Sequence, residues 1–249
     1  MAAATRIVGS YLSPYVRKVL VCLHVKGIAY EIDPIVPFYG DDGFSAVSPV
    51  RRVPVLIDDA VTLADSTVIC EYLDERYPEP RLFPAGAALR ARARWIEEYA
   101  DTRMGEVFVW HLFNQVAIRR FVWGEAEDAP LLKRALEEEV PQVLDYLESQ
   151  LPAAGWLFGD LCVADIAVAS FFRNAAFARV GVDAARWPRT AAFVARALAH
   201  PGFDGLRAFE ELCLRTPIDR HRAALAAAGA PVSAATYASA SPRRGMLAT

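Results

Sequence analysis

Val53-Pro54 stands at the head of a short apolar run, Pro54-Val55-Leu56-Ile57, and a helix-start pair, Asp65-Ser66, follows one hairpin later. No other stretch constrains the fold as tightly. Proline has no N–H to give to a ladder, so a sheet admits it only at a strand's first residue, at an edge or at a bulge. Pro54 therefore marks where a strand begins. The run Pro54–Ile57 turns at Asp58-Asp59-Ala60 and returns as a second strand over Val61–Leu63. Asp65 then supplies a side-chain acceptor for a helix from Ser66 to Tyr77, with Val68, Ile69, Tyr72 and Leu73 as its inner face.

Upstream, Ile7-Val8 forms a short buried strand that ends at Gly9-Ser10. Ser13-Pro14 opens a helix: serine is a good N-cap, and proline at the first helical position loses nothing by lacking an N–H. Val16, Val19, Leu20 and Leu23 recur at helical spacing, and Lys26-Gly27 closes the helix with a residue that tolerates a left-handed cap. Tyr30-Glu31-Ile32 resumes an extended pattern, which makes a right-handed parallel βαβ unit if the two strands share a sheet. From Pro34 to Pro49 the chain is broken by Pro37, Gly40 and Gly43, and reads as a loop with one helical turn near Phe44.

Pro78-Glu79-Pro80 and Pro84 form a linker, and the pattern beyond it is helical: Ala87 to about Phe121, Leu131–Leu151 with a kink at Pro141, Val163–Val180, Trp187–Ala199 and Pro201–Arg215. Val163–Val180 is apolar nearly all round and is expected at the centre of a bundle. The chain thus divides into an α/β domain over 1–80, an all-α helical domain over 86–216, and an Ala/Ser/Pro-rich tail over 217–249, partly helical or flexible. The uncharged run Ala223–Pro242 is interrupted by Gly229, Pro231 and serines, so it is no membrane span.

At 249 residues, 54% hydrophobic and 23% charged, the chain has enough apolar surface for a sizeable core. A net charge of -3 argues against nucleic acid or an anionic membrane as partner. Cys22, Cys70, Cys162 and Cys213 lie far apart with no CxxC, the usage of free buried thiols in a reducing compartment. Met1–Arg6 lacks a basic start followed by an apolar stretch, so no signal peptide is read and the cytoplasm is expected. There is no HExxH, no paired-cysteine spacing and no glycine-rich phosphate loop, so neither a metal nor a nucleotide is implied.

Four motifs in order, from about Thr5 to Arg215, carry a resemblance. They are Ser13-Pro14-Tyr15-Val16-Arg17-Lys18-Val19, Arg52-Val53-Pro54-Val55-Leu56, Asp65-Ser66 with Tyr72-Leu73, and Gly159-Asp160 with Ala164-Asp165. In these the chain resembles the soluble glutathione transferases, of a serine-type, bacterial-like branch. The resemblance implies a thioredoxin-like N-terminal domain, an all-helical C-terminal domain, glutathione as co-substrate, a small electrophile as second substrate, a role in detoxification and a homodimer. One position departs from the pattern. Where the family opens its buried helix with serine or threonine three residues before aspartate, this chain has Cys162, a weak hydrogen-bonding group. Losing that half of the capping box is expected to cost about 1 kcal/mol.

The resemblance also assigns roles. Only a thiolate attacks, and lowering a thiol pKa from about 8.5 to about 6.5 takes roughly 3 kcal/mol of preferential stabilisation. One hydrogen bond and the field of a helix end supply energies of that order. Ser13 suits the task, because its hydroxyl can donate to sulfur while its lone pairs cap the helix. Tyr11 is the rival donor, with Ser10 beside it; the plain alternative for Ser13 is capping alone. Serine in place of cysteine argues against mixed-disulfide chemistry.

Val53-Pro54 resembles the family's cis-proline, which lets the Val53 backbone pair with the cysteinyl main chain of glutathione as an added strand does. Asp65 and Ser66 resemble the pair that grips the γ-glutamyl end, Asp65 facing the ammonium and the helix start facing the carboxylate. Arg52 stands where the family often contacts the glycyl carboxylate, although Arg51 and Arg52 also read as solvated charges. Phe38, Tyr39, Phe108, Trp110, His111 and Trp123 are candidate walls for an apolar electrophile, with core packing as the alternative for each. The expected function is conjugation of the glutathione thiolate to a small apolar electrophile. Glutathione-dependent isomerisation or dehalogenation, and a non-catalytic binding module, remain as alternatives.

Overall fold

In a computed structural model, which describes residues 5–244, β1 (Thr5–Val8), β2 (Tyr30–Asp33), β3 (Val55–Ile57) and β4 (Thr62–Leu63) form one sheet in the order β2-β1-β3-β4. β1 and β2 run parallel with Ile7 opposite Ile32, β1 and β3 antiparallel with Ile7 opposite Leu56, and β3 and β4 antiparallel with Leu56 opposite Leu63. Ile7, Val8, Val55 and Leu56 are wholly buried, each worth roughly 1.5–3 kcal/mol of transfer free energy. Helix α1 (Pro14–Val25) joins β1 to β2; α2 (Asp42–Val47) and α3 (Ser66–Arg76) flank the hairpin. This is the βαβ, loop, ββα order read from the sequence, in the thioredoxin-like arrangement that the resemblance implies.

Two details differ from the sequence reading. The strand starts at Val55, one residue after the proline that cannot donate. Val68 is 47% exposed, and the inner stripe of α3 is Ser66, Ile69, Cys70 and Leu73. That set keeps the i, i+3, i+4, i+7 spacing of a single helix face, which position 68 breaks.

A second compact unit comprises Arg81–His200. Helix α4 (Ala87–Tyr99) continues through Ala100–Trp123 in the wider i→i+5 winding and closes at Gly124, whose N–H donates to the Arg119 carbonyl. Next come α5 (Ala129–Arg134), a wide turn over Ala135–Glu139, and α6 (Val140–Gln150). Pro141 thus sits in the first turn of α6, where a missing N–H costs least, and the irregular turn falls just before it.

Helix α7 (Val163–Phe177) is buried on every side from Val163 to Phe172. Asp165 holds its start: Oδ2 accepts from the Cys162 N–H at 3.0 Å and from the Cys162 thiol at 3.2 Å, and Oδ1 from the Leu157 N–H at 2.9 Å. The cysteine therefore contributes as a donor to the carboxylate. Helix α8 (Pro188–Leu198) borrows its cap from α6, since Glu148 accepts from the N–H groups of Arg189 and Thr190 at 3.0 and 2.9 Å.

Among the described residues, those from Pro201 onward pack with those up to Pro80. Helix α9 (Pro201–Arg215), assigned above to the helical domain, instead lies against α1, with a buried Arg17–Glu210 ion pair and the Tyr11 and Phe209 rings 5.2 Å apart. Helix α10 (His221–Ala227) follows, and the chain then runs beside β2: Ile32 N–H donates to the Pro231 carbonyl at 2.8 Å, and Ser233 N–H to the Ile32 carbonyl at 2.9 Å. The tail is ordered here because β2 is an edge strand whose outer hydrogen-bonding groups need partners. All four cysteines are free thiols and buried.

Candidate active site

Gly9 is where the site is assembled. Its φ is +150°, and a Cβ built there would stand 2.5 Å from Val16 Cγ2 and 3.0 Å from Val53 Cβ. Only glycine lets the end of β1, the first turn of α1 and the residue before Pro54 approach so closely. Ser13 caps α1 in extended conformation, and its Oγ accepts from the Val16 N–H at 3.4 Å. The hydroxyl is half-buried, and its proton is not used by that contact.

Tyr11 points elsewhere. It is 1% exposed, packs on Phe209, and its hydroxyl lies inside next to Tyr30 and Cys213. Burial above all, then the Tyr30 neighbour, drives its pKa far above the ordinary range. Ser10 is also buried, its Oγ accepting from the Leu12 N–H at 3.2 Å.

Helix α3 brings its own N-terminus to the same end. Lys18 Nζ donates to Thr67 Oγ1 at 3.2 Å, Cys22 and Cys70 sulfurs are 3.5 Å apart, and Lys26 Nζ reaches Asp74 Oδ1 at 2.9 Å. Partners that advance together along both sequences mean parallel helices. The two helix mouths, capped by Ser13 and Asp65, therefore open side by side, with both positive dipole ends on one rim. Asp65 is exposed, and its Oδ1 accepts from the N–H groups of Thr67 at 2.8 Å and Val68 at 3.1 Å; Ser66 is buried beside it.

The Val53-Pro54 peptide is cis, as the resemblance implied. Arg52 is exposed, while its backbone is fastened to Ser48: N–H donates to Oγ at 3.0 Å, and the carbonyl accepts from that hydroxyl at 2.8 Å. Arg51 is no solvated charge. With φ +52° it turns its guanidinium onto the Gly40 carbonyl at 2.8 Å and Ser45 Oγ at 2.5 Å, over the Phe44 ring.

The aromatic candidates divide between the two units. Phe38 is nearly buried, its carbonyl accepting from the Arg243 N–H at 2.7 Å, and the Tyr39 carbonyl accepts from the Ser239 N–H at 2.6 Å. In the Arg81–His200 unit, Phe108 is 1% exposed and packs on Phe172 as a core ring. Trp110 and Trp123 are half-buried, and His111 Nδ1 lies 2.5 Å from Glu139 Oε2. Sequence reasoning passed over Asp33, Glu210 and Tyr237. Tyr237 alone had a signal, as the lone aromatic after Pro217. Among the described residues no cluster of His, Cys, Asp or Glu is arranged to hold a metal ion, and no helix is long and apolar enough to cross a membrane.

Comparison with known proteins agrees with this architecture. Residues 7–81 match the family model for the glutathione S-transferase N-terminal domain, and residues 109–201 match that for the C-terminal domain. A maleylacetoacetate isomerase of Pseudomonas aeruginosa is 30% identical over 78% of this chain and 91% of its own length. The crystal structure of a glutathione S-transferase from Rhodospirillum rubrum is 32% identical, with a TM-score of 0.75 over 81% of this chain and 91% of that one. A glutathione S-transferase from Methylobacterium radiotolerans, solved with glutathione sulfonate, is 26% identical, with a TM-score of 0.67 over 81% of this chain and 93% of that one. The chain belongs to the glutathione S-transferase family.

Proposed function

We propose that this protein binds glutathione at the paired mouths of α1 and α3 and directs its thiolate at a small apolar electrophile. The half-buried Ser13 hydroxyl, free to donate at a helix N-terminus, carries the reading. Its hydrogen bond and the helix field would stabilise the sulfur anion. The Val53 main chain would pair with the cysteinyl residue, Arg52 would meet the glycyl carboxylate, and Asp65 with Ser66 would take the γ-glutamyl end. The relative solved with glutathione sulfonate supports glutathione as ligand. A homodimer in the cytoplasm belongs to the same proposal.

Isomerisation is the second reading, favoured by the maleylacetoacetate isomerase relative. There the thiolate would add to an activated double bond, rotation would follow, and elimination would return glutathione unchanged. Both readings need retention on immobilised glutathione. Assay of the purified protein with an aryl halide and with a maleyl-type diketo acid separates them: turnover of the acid alone assigns isomerisation, turnover of the halide assigns conjugation. A protein that neither binds glutathione nor turns over either compound is a binding module of the same fold.

A further inference from the structure

Tyr237 is inserted against the buried cluster of Val8, Ile35, Phe44 and Val55, and Val53 packs on that same cluster. Its main chain is held on both sides. The N–H donates to Asp33 Oδ2 at 2.7 Å, and the carbonyl accepts from the Asp41 N–H at 2.8 Å. Asp33 is itself buried, and its other oxygen accepts from Thr236 Oγ1 at 2.8 Å and Arg222 Nη1 at 2.9 Å. The ring lies under the Arg6 guanidinium, 5.5 Å from its centroid, and 3.1 Å from where a Cβ on Gly43 would stand. Helix α2 is thus seated directly on this side chain.

Arg51, which follows α2, donates to the Gly40 carbonyl before it, and Ser48 at the end of α2 donates to the Arg52 carbonyl. Residues 40–52 are therefore one hydrogen-bonded piece, and Val53 follows it directly. Its outer support is Tyr237, and its inner end is the cis peptide at Val53.

We infer that Tyr237 is a positioning residue for the glutathione-binding edge at Val53: filling the space behind α2, it keeps residues 41–53 in the conformation that the ligand meets. The inference rests on the reading of Val53 as glutathione's main-chain partner. A preformed edge spares the ligand the ordering cost of the segment, so the device acts on affinity and leaves the chemical step alone.

The test compares the full chain with its Tyr237→Ala and Tyr237→Phe variants by calorimetric titration with glutathione, steady-state kinetics, and amide hydrogen exchange over residues 41–53. Alanine is expected to raise Kd and KM for glutathione about ten-fold and to speed exchange across the segment. It should leave kcat at saturating glutathione within about two-fold, the pattern of lost uniform binding. Phenylalanine keeps the ring and should restore all three readouts. Tyr237→Leu takes the place of alanine if that chain does not fold. A folded alanine or leucine variant with unchanged glutathione affinity overturns the inference, and so does a fall in kcat that parallels the rise in KM. If the unaltered chain takes no glutathione, it is the functional reading that falls; exchange then decides alone, faster exchange upholding the brace and unchanged exchange removing it.

Discussion

Arg17 of α1 and Glu210 of α9 form an ion pair in which both side chains are 1% exposed, and Arg17 Nη2 also donates to the Tyr11 carbonyl at 3.2 Å. The pair therefore fixes both α9 and the loop that leads into Ser13. Desolvating two charges cancels much of their attraction, so the pair's value shows when one partner is lost. Arg17→Met is expected to destabilise by about 3–5 kcal/mol, because the buried Glu210 loses its guanidinium counter-charge. Urea denaturation of Arg17→Met, Glu210→Leu and the double variant checks this. The double variant should be more stable than Arg17→Met, and strict additivity of the two losses would remove the pair as their cause.

Ser13→Ala bears on the chemistry. Removing one preorganised donor at a developing or resting anion typically costs about 100-fold in turnover. The thiolate absorbance of bound glutathione should appear at higher pH, and kcat/KM with an aryl halide should fall by about that factor. Tyr11→Phe should leave both measurements near those of the unaltered protein, since that hydroxyl is enclosed. The reverse result would move the donor role to Tyr11.

Gly9→Ala tests the close approach on which the site depends. The new Cβ meets Val16 at 2.5 Å and Val53 at 3.0 Å, at a φ of +150° that alanine rarely adopts. Overpacking and backbone strain together place the loss at about 2–4 kcal/mol, read as a lower urea midpoint. A variant as stable as the parent would mean that these three segments yield easily.

Glu148 gives a signed pH dependence. Burial pushes its pKa up, yet the N–H groups of Thr190 and Arg189 and the Thr190 hydroxyl outweigh burial and hold it below its ordinary value of 4.5. A carboxylate depressed in the folded state contributes stability above the unfolded-state pKa and loses it as pH falls through the folded one. Glu148→Ala removes the cap of α8 and should cost about 1 kcal/mol near neutral pH. Thermal melts from neutrality to about pH 3 should show the gap between the two proteins closing with acid. A gap that stays constant would assign it to packing.

What the residues disclosed before any coordinates was local. Ser13-Pro14, Asp65 and Pro54 each act on groups within four residues, so their types and spacing announce a cap, a cap and a strand start. Arg51 looked like any surface cation, because its partners Gly40 and Ser45 are chosen by a turn that the sequence does not spell out. Glu210 was illegible as a site support for the same reason, and Tyr237 showed only as a lone aromatic in the tail, since the partners of both lie about two hundred residues away in the chain. The wide winding after Tyr99 also left no mark, since no residue type in that stretch selects one helical period over the other.

The pairing of Ile32 with Pro231 and Ser233 has a consequence for other copies of the molecule. β2 is an outer strand, and an outer strand with unpaired amides is a template on which a second chain can polymerise. Here Pro231 and Ser233 of the same chain occupy both main-chain groups of Ile32, so a copy shortened before Pro231 would expose a ready seam for aggregation, whatever it did to the chemistry.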